Sequence, residues 1–560
     1  MAKDFRHPDR DQTFLLPPDM RQWLPEGHLV WFLLEVLADL DVSRFEATAK
    51  LGRAGREAFA PRTLLGVLLY GYAHGERSTR QLERLCEVDV AFKVLTGNEV
   101  PDHTTLARFR QRHEAALVDV FAQVLVLCAK AGLGRLGIVA IDGTKIAANA
   151  AKSSNMSEHA MRTEMRDDAQ DQARAQAARI LAEAAEIDAV EDAEFGDARG
   201  DELPKDLRSP ESRKARIKEL LAEIDAEKQA KERADAEAAQ RVAEAYLARL
   251  ADPAVVPDRA GLGSPPAAAD RVAVAQARLD RETRRAEQKL LAYQARLAKA
   301  AEQGRRPVGG PVKPLEHNRT VLRARAALDA AVEKALAERA TGVSAESSAL
   351  PDQPAGKGVV RNLTDPDSRL MPVSGGWIQG YNCQLAVTDD QIILAARAVQ
   401  DTGDVAQLTP MMAAAAQAAE VLARHRPDRL RKSAGQDTIG TVVADAGYQS
   451  DDNLTSDGPD RLIALGKSHA QHQQARQQPA YGDPPLDATP RERMGHRLRT
   501  PEGSALYKRR GVTVEPVNGH LKDRIGLRSF SRRGLPAAHS ELHLAATVAN
   551  LLKIYRHRTA

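Results

Sequence analysis

Cysteine is scarce. The 560 residues hold three, Cys86, Cys128 and Cys383, and none lies in a CxxC spacing. Neither a disulfide framework nor a thiolate zinc site is encoded, which fits a reducing cytoplasm. Aromatic residues are sparse at 4%, so part of the chain should pack no large core and should run as extended helix or linker. Charge of one sign is also missing: the net charge of +3 does not announce a polyanionic partner, and only local clusters can. Long apolar runs are absent. The greasiest stretch, Leu64 to Tyr72, falls well short of the roughly 20 residues a membrane-spanning helix needs. The start of the chain, MAKDFRHPDRDQTF, is charged where a signal peptide needs an apolar segment, so the protein is expected to be neither exported nor membrane-bound.

What is present divides along the chain. Residues 1–133 carry apolar residues at three- and four-residue spacing, as in LVWFLLEVLADL and LVDVFAQVLVLCAK, and predict a helical domain. Within it, STRQLERL has a cap spacing at Ser78 and Gln81, and PDHTTLARFRQRH predicts a second helix studded with Arg108, Arg110 and Arg112. A basic second helix suits a helix-turn-helix docked on DNA; arginines that merely solvate a helix face explain it equally well. Residues 134–152 hold an apolar run, Ile138 to Ile141, that reads as a buried strand ending in Asp142. Residues 153–347 turn to Ala, Arg, Glu and Lys and predict two long amphipathic stretches folded back as an antiparallel hairpin insertion. In residues 348–560 strand signals return. GWIQGYNCQLAVTDD and QIILAARAVQD read as a hairpin, DVAQLTPMMAAAAQAAEVLARH as a helix, DTIGTVVADAGYQS as a strand ending in Asp445, and RLIALGK as another strand. The order predicts an α/β domain on a mixed sheet, interrupted by the helical insertion.

Asp142 and Asp445 each follow a short apolar run and precede a small residue. If their strands are neighbours the carboxylates converge, and facing carboxylates repel unless a cation lies between them. A third acid would complete a two-metal site for in-line attack on a phosphodiester, and Glu515, in GVTVEPVNGHLKDRIGL, is the candidate. Taken singly, an Asp ending a strand is far more often a turn former or helix cap, so the pattern gains weight only as a set. Two decoys carry less. LGKS at Leu465 to Ser468 has Arg461 where a phosphate loop needs glycine, and HAQH at His469 to His472 reads as solvated side chains in a polar loop.

The set AIDGTKIAANA, GYNCQLAV, VVADAGYQS and YKRRGVTVEPVNGHLK resembles the DDE transposases of bacterial insertion sequences, in the group carrying a Tyr, Arg, Glu, Lys signature; FLLPPDMRQWLPEGHLVWFLLEVL and PDHTTLARFRQRH share the resemblance. It implies an RNase H-like catalytic domain behind a DNA-binding helical domain. Asp142, Asp445 and Glu515 would hold two Mg²⁺ ions, for which Mn²⁺ can substitute. The signature falls on Tyr507, Arg510, Glu515 and Lys522. Four residues separate Arg510 from Glu515, one more than in the commonest form, which leaves Arg509 as the alternative. These side chains, with Lys145 and Asn149 beside the first acid, would meet DNA, although solvent-facing strand positions explain Lys145 and Asn149 as well. Between Arg491 and Arg533 twelve basic residues face four acids, a local excess that the net charge conceals. The implied partners are transposon ends and target DNA, with the chain acting as a homo-oligomer, a dimer, in the synaptic complex. The rival readings are a DNA-binding relic that no longer cuts, an assembly protein organised by the insertion, and a nuclease of the same fold that does not join strands.

Overall fold

The computed structural model describes residues 19–47, 58–165, 210–252, 264–303, 310–340, 359–373, 375–428 and 438–559. The chain forms two compact units, one from Met1–Lys218 with Val360–Ala560 and one from Glu219–Val359.

The first unit begins with helices at Leu29–Asp39, Pro61–Ala73, Thr79–Val88, Val90–Thr96, His103–Arg112 and Glu114–Lys130. Their starts follow from capping chemistry: Ser78, Asp89 and Asp102 each accept a backbone N–H of the first turn, and Pro61 stands where its missing N–H costs nothing. The basic helix and its expected partner are not successive elements, as a two-helix reading requires. Asp89 caps an intervening helix, Val90–Thr96, which ends at Gly97 with φ 65°. The Pro61–Ala73 helix is buried from Leu64 to Tyr72 because it lies among neighbouring helices on all sides. These helices and the sheet feed one continuous apolar core rather than two.

The sheet is built on β5 (Gly376–Thr388). Along one edge β5 pairs antiparallel with β1 (Ile138–Ala147); along the other, its first residues pair with β4 (Arg369–Val373) and its later ones with β6 (Ile393–Val399). Beyond β1, β7 (Thr441–Ala444) and β8 (Asp460–Ile463) continue in parallel. The mixed sheet agrees with the α/β expectation. The C-terminal helix, Leu535–Thr559, packs against the Glu114–Lys130 helix and β6. Its Asn550 side chain donates to the carbonyl of Ile393 and accepts that residue's N–H, both at 2.9 Å, closing part of an otherwise unpaired strand edge. Residues 155–164, assigned to the insertion from sequence, belong to this unit: β2 (Asn155–Ser157) pairs with β3 (Val360–Asn362), and Glu164 at the end of the next helix forms a buried pair with Arg213 at 2.7 Å.

The second unit carries three long helices among the described residues rather than the expected two: Pro210–Ala251, which starts in the first unit, then Arg271–Glu302 and Arg319–Ala340. Ala243, Tyr246, Leu250, Ala269 and Val274 form a small core, consistent with the low aromatic content.

Candidate active site

Strand register brings the two aspartates together. The parallel pairing of β1 and β7 ends at Ile141 opposite Ala444, so Asp142 and Asp445 come next to each other one step further on. Asp445 does stand at a strand end, where its carboxylate accepts the N–H of Gly447 at 2.9 Å and caps the following turn. Asp142 does not. The thirteen-residue β5 supplies partners as far as Ala147, so β1 runs on and Asp142 lies mid-strand, opposite Leu385.

The third acid arrives on a helix. That helix runs Pro501–Gly519, capped by Thr500, which accepts the N–H of Gly503 at 3.0 Å, while Thr513 is buried in its middle. Pro516 lies inside that helix and cannot donate to the carbonyl of Val512, which instead accepts Gln391 Nε2 at 3.0 Å. A π-helical turn, His520–Arg524, follows.

All three acids surround one guanidinium. Arg510 donates from Nη2 to Asp142 Oδ1 at 2.8 Å and stands 3.6 Å from Asp445 Oδ2, while its Nη1 lies 3.7 Å from Glu515 Oε1. Asn518, one turn past Glu515, donates to the other Asp142 oxygen at 3.0 Å. Exposure rises outward: the side chain of Asp142 keeps 13% of its accessible surface, Asp445 39% and Glu515 67%. Burial lifts the Asp142 carboxyl to about 6, against the pull of Arg510 and with a further push from Asp445 and Asp404.

The other expected residues scatter. Tyr507 is buried, its hydroxyl 3.3 Å from Ser468 Oγ and its ring beside His472, so it supports the helix from below instead of presenting a face to a DNA strand. His472 is on a helix, Ser468–Gln477, and not in a loop. Arg509 is half-exposed and pairs with Asp389 at 3.1 Å, turned away from the three acids that Arg510 meets. Lys522 is half-buried, and that burial lowers its ammonium. Lys145 reaches Asp404 at 3.3 Å, and Asn149 donates to the carbonyl of Ser531. Arg108 and Arg112 are exposed, but Arg110 is buried and donates to Tyr72 Oη and the carbonyl of Arg77. It faces inward because a helical residue two positions from an exposed one turns toward the opposite side.

Sequence reading missed Asn518, Asp404, Asn382 and Gln384. The last two left a signal: two polar residues at alternate positions, flanking Cys383, in the buried stretch of β5.

Among the described residues, no three acidic, His or Cys side chains stand close enough together to hold a metal directly. The donor set nevertheless fits a hard divalent cation, because three carboxylates converge on a positively charged group and the surrounding donors are oxygen and amide. The guanidinium stands where such a cation's charge would be needed.

Comparison with known families bears on this geometry. Residues 18–112 match a family model described as a transposase domain (DUF772), and residues 485–555 match one described as a transposase DDE domain. Together the two matches support a DDE transposase. The second matched segment contains Tyr507, Arg510, Glu515, Asn518 and Lys522, and the first contains Arg108, Arg110 and Arg112; Asp142, Asp445 and the long helices fall outside both. No curated protein and no solved structure matches the chain.

Proposed function

We propose that the chain is a transposase that binds the ends of an insertion sequence, cuts the DNA there and joins the freed end to a target. The observation that carries this reading is the convergence of Asp142, Asp445 and Glu515, from two strands and a helix distant in sequence, on the single cation of Arg510. The parallel strands with an antiparallel meander beside them are what an RNase H-like domain would use to bring such acids together.

Asp142, Asp445 and Glu515 are the residues that would hold two Mg²⁺ ions, or Mn²⁺. When bound, such ions offset charge on the attacking and departing oxygens of a phosphodiester. In the first step water oxygen bonds to phosphorus, the bond from phosphorus to the 3′ oxygen breaks, and that oxygen leaves as a hydroxyl. In the second the 3′ hydroxyl bonds to a target phosphorus and a target 3′ hydroxyl departs. The chain's own work is electrostatic and positional. Arg510 keeps three like charges together before substrate arrives and can turn to a phosphate, Asn518 holds Asp142 in place, and Arg509 with Lys522 extends the basic surface along the strand. Action on chromosomal DNA implies a cytoplasmic protein that works as a dimer on paired ends. Among the described residues no helix is long and apolar enough to cross a membrane.

The test is Mg²⁺-dependent cleavage and joining on a duplex carrying the element's end, with wild type beside Glu515→Gln. Joined product that disappears in the variant, with DNA binding retained, supports the reading. Cleavage that survives the substitution rejects Glu515 as the third acid. Binding without cleavage by either protein indicates a DNA-binding relic, the alternative favoured by the seat of Arg510 among the carboxylates.

A further inference from the structure

Asp404 lies in the turn between β6 and the Leu408–His425 helix, a position with no strand-end signature. Successive residues of a strand face opposite sides of the sheet, so Gly143 faces away from Asp142 and its neighbour Arg510. On that opposite side Asp404 Oδ1 accepts Asn382 Nδ2 at 2.7 Å and Gln384 Nε2 at 2.8 Å, and lies 3.3 Å from Lys145 Nζ. The carboxylate is wedged against the backbone of both aspartate segments. A Cβ on Gly143 would stand 2.5 Å from Asp404 Oδ1, and one on Gly447 would stand 3.2 Å from Asp404 Oδ2 and 3.0 Å from Asp445 Oδ1. Only glycine at 143 lets the carboxylate come so close. Three further bonds tie the turns together: Asn453 Nδ2 donates to the carbonyls of Val405 and Tyr448, each at 2.7 Å, and the Tyr448 hydroxyl donates to Gln384 Oε1.

We propose that Asp404 is a positioning residue of the carboxylate site. Through Lys145, Asn382, Gln384 and the two glycines it fixes the spacing of Asp142 and Asp445, and so sets the affinity of the pair for a divalent cation. The inference rests on the metal-dependent reading above. Three donors converge on one Asp404 oxygen, and one is an ammonium whose side chain keeps only 15% of its surface exposed. Loss of the charge at 404 leaves Lys145 without its counter-ion, and the Gly143 and Gly447 segments lose the group that braces them.

The experiment is Mn²⁺ binding to the full chain without DNA, followed by electron paramagnetic resonance, for wild type, Asp404→Asn and Lys145→Met. Both variants are expected to bind Mn²⁺ about 10- to 100-fold more weakly, as loss of a group that orients metal ligands does elsewhere. Lys145→Met separates positioning from direct ligation, since a ligating Asp404 freed from its ammonium would bind Mn²⁺ more tightly; it also decides the matter if Asp404→Asn does not fold. Wild type that binds no Mn²⁺ overturns the metal-dependent reading itself. Wild type that binds, with Asp404→Asn within about twofold of it or Lys145→Met tighter, overturns the positioning role alone.

Discussion

Replacing Arg510 by Gln removes a cation shared by three carboxylates. The pair it makes with Asp142 is buried on both sides, with 10% and 13% of the side-chain surfaces exposed. Breaking a buried pair by deleting one partner typically costs about 3–5 kcal/mol, since the survivor is left uncompensated. Asp142 has an escape, because its carboxyl already titrates at about 6 and loss of the guanidinium raises it further. At neutral pH a fraction takes up a proton, which holds the penalty near the lower figure of about 3 kcal/mol. The sign of the pH effect follows: a carboxyl raised in the folded state favours folding below its unfolded value, and that contribution is lost as pH rises through the folded value. The penalty in Arg510→Gln should therefore grow between pH 6 and about 8, where wild type keeps its ion pair. Urea unfolding in the presence of a chelator at a series of pH values measures this, and Asp142→Asn combined with Arg510→Gln should cost at least about 2 kcal/mol less than the separate losses summed. A penalty below about 1 kcal/mol, or one flat with pH, would refute a buried charge pair at this position.

His543 is buried against Phe121 and its imidazole is pushed down to about 4, chiefly by burial and then by His539. The unfolded chain takes up a proton there first, so stability is full above pH 6.5 and falls by about 3 kcal/mol as pH drops to 4; acid titration of unfolding should lose that slope in His543→Phe. Asn550→Ala strips Ile393 of both its partners and should cost about 2 kcal/mol or more by chemical denaturation. Gly143→Ala places a methyl 2.5 Å from both Asp404 Oδ1 and Gln384 Nε2, so it should lower stability by about 1–3 kcal/mol in the same assay. Changing Lys508, Arg509 and Lys522 together to Gln should flatten the salt dependence of duplex binding by about 2–3 in log–log slope, and an unchanged slope would place the DNA path elsewhere.

The residues best read from sequence were those whose local pattern already contains their geometry. TVVA is buried at every position and its following Asp caps a turn, so β7 and Asp445 were legible from a single short run. Asp142 was legible as a residue but not as a strand interior, because what extends β1 is β5, more than two hundred residues away. The same non-local cause hid Asp404. Its neighbours suggest only a helix cap, with Gln407 three residues on, yet its side chain makes no cap bond, and its place is set by Gly143 and Gly447 from two separate segments. Glu515 stood out as an acid in a strongly basic segment, yet the long helix around it contains Pro516 and depends on a compensation no local rule supplies, the amide of Gln391 at the freed carbonyl of Val512.

The seat of Arg510 joins these pieces into one electrostatic argument. A carboxyl buried as deeply as Asp142 cannot stay charged beside Asp445 without a counter-charge, and the chain supplies one from the same helix that carries Glu515. A fixed cation of this kind would exclude a divalent ion if it could not move. Two features allow it to: Arg510 Nε is buried without a hydrogen-bond partner among the described residues, and its contacts to Asp445 and Glu515 lie beyond normal hydrogen-bond length. Both mark the guanidinium as held by charge more than by directed bonds. On the proposed reading, an incoming phosphate would offer it bidentate acceptors as cations arrive for the acids, so substrate and metal binding should be mutually reinforcing. Mn²⁺ affinity measured with and without a duplex end would show this coupling as tighter binding in the presence of DNA, and equal affinities would mean that Arg510 never leaves the carboxylates.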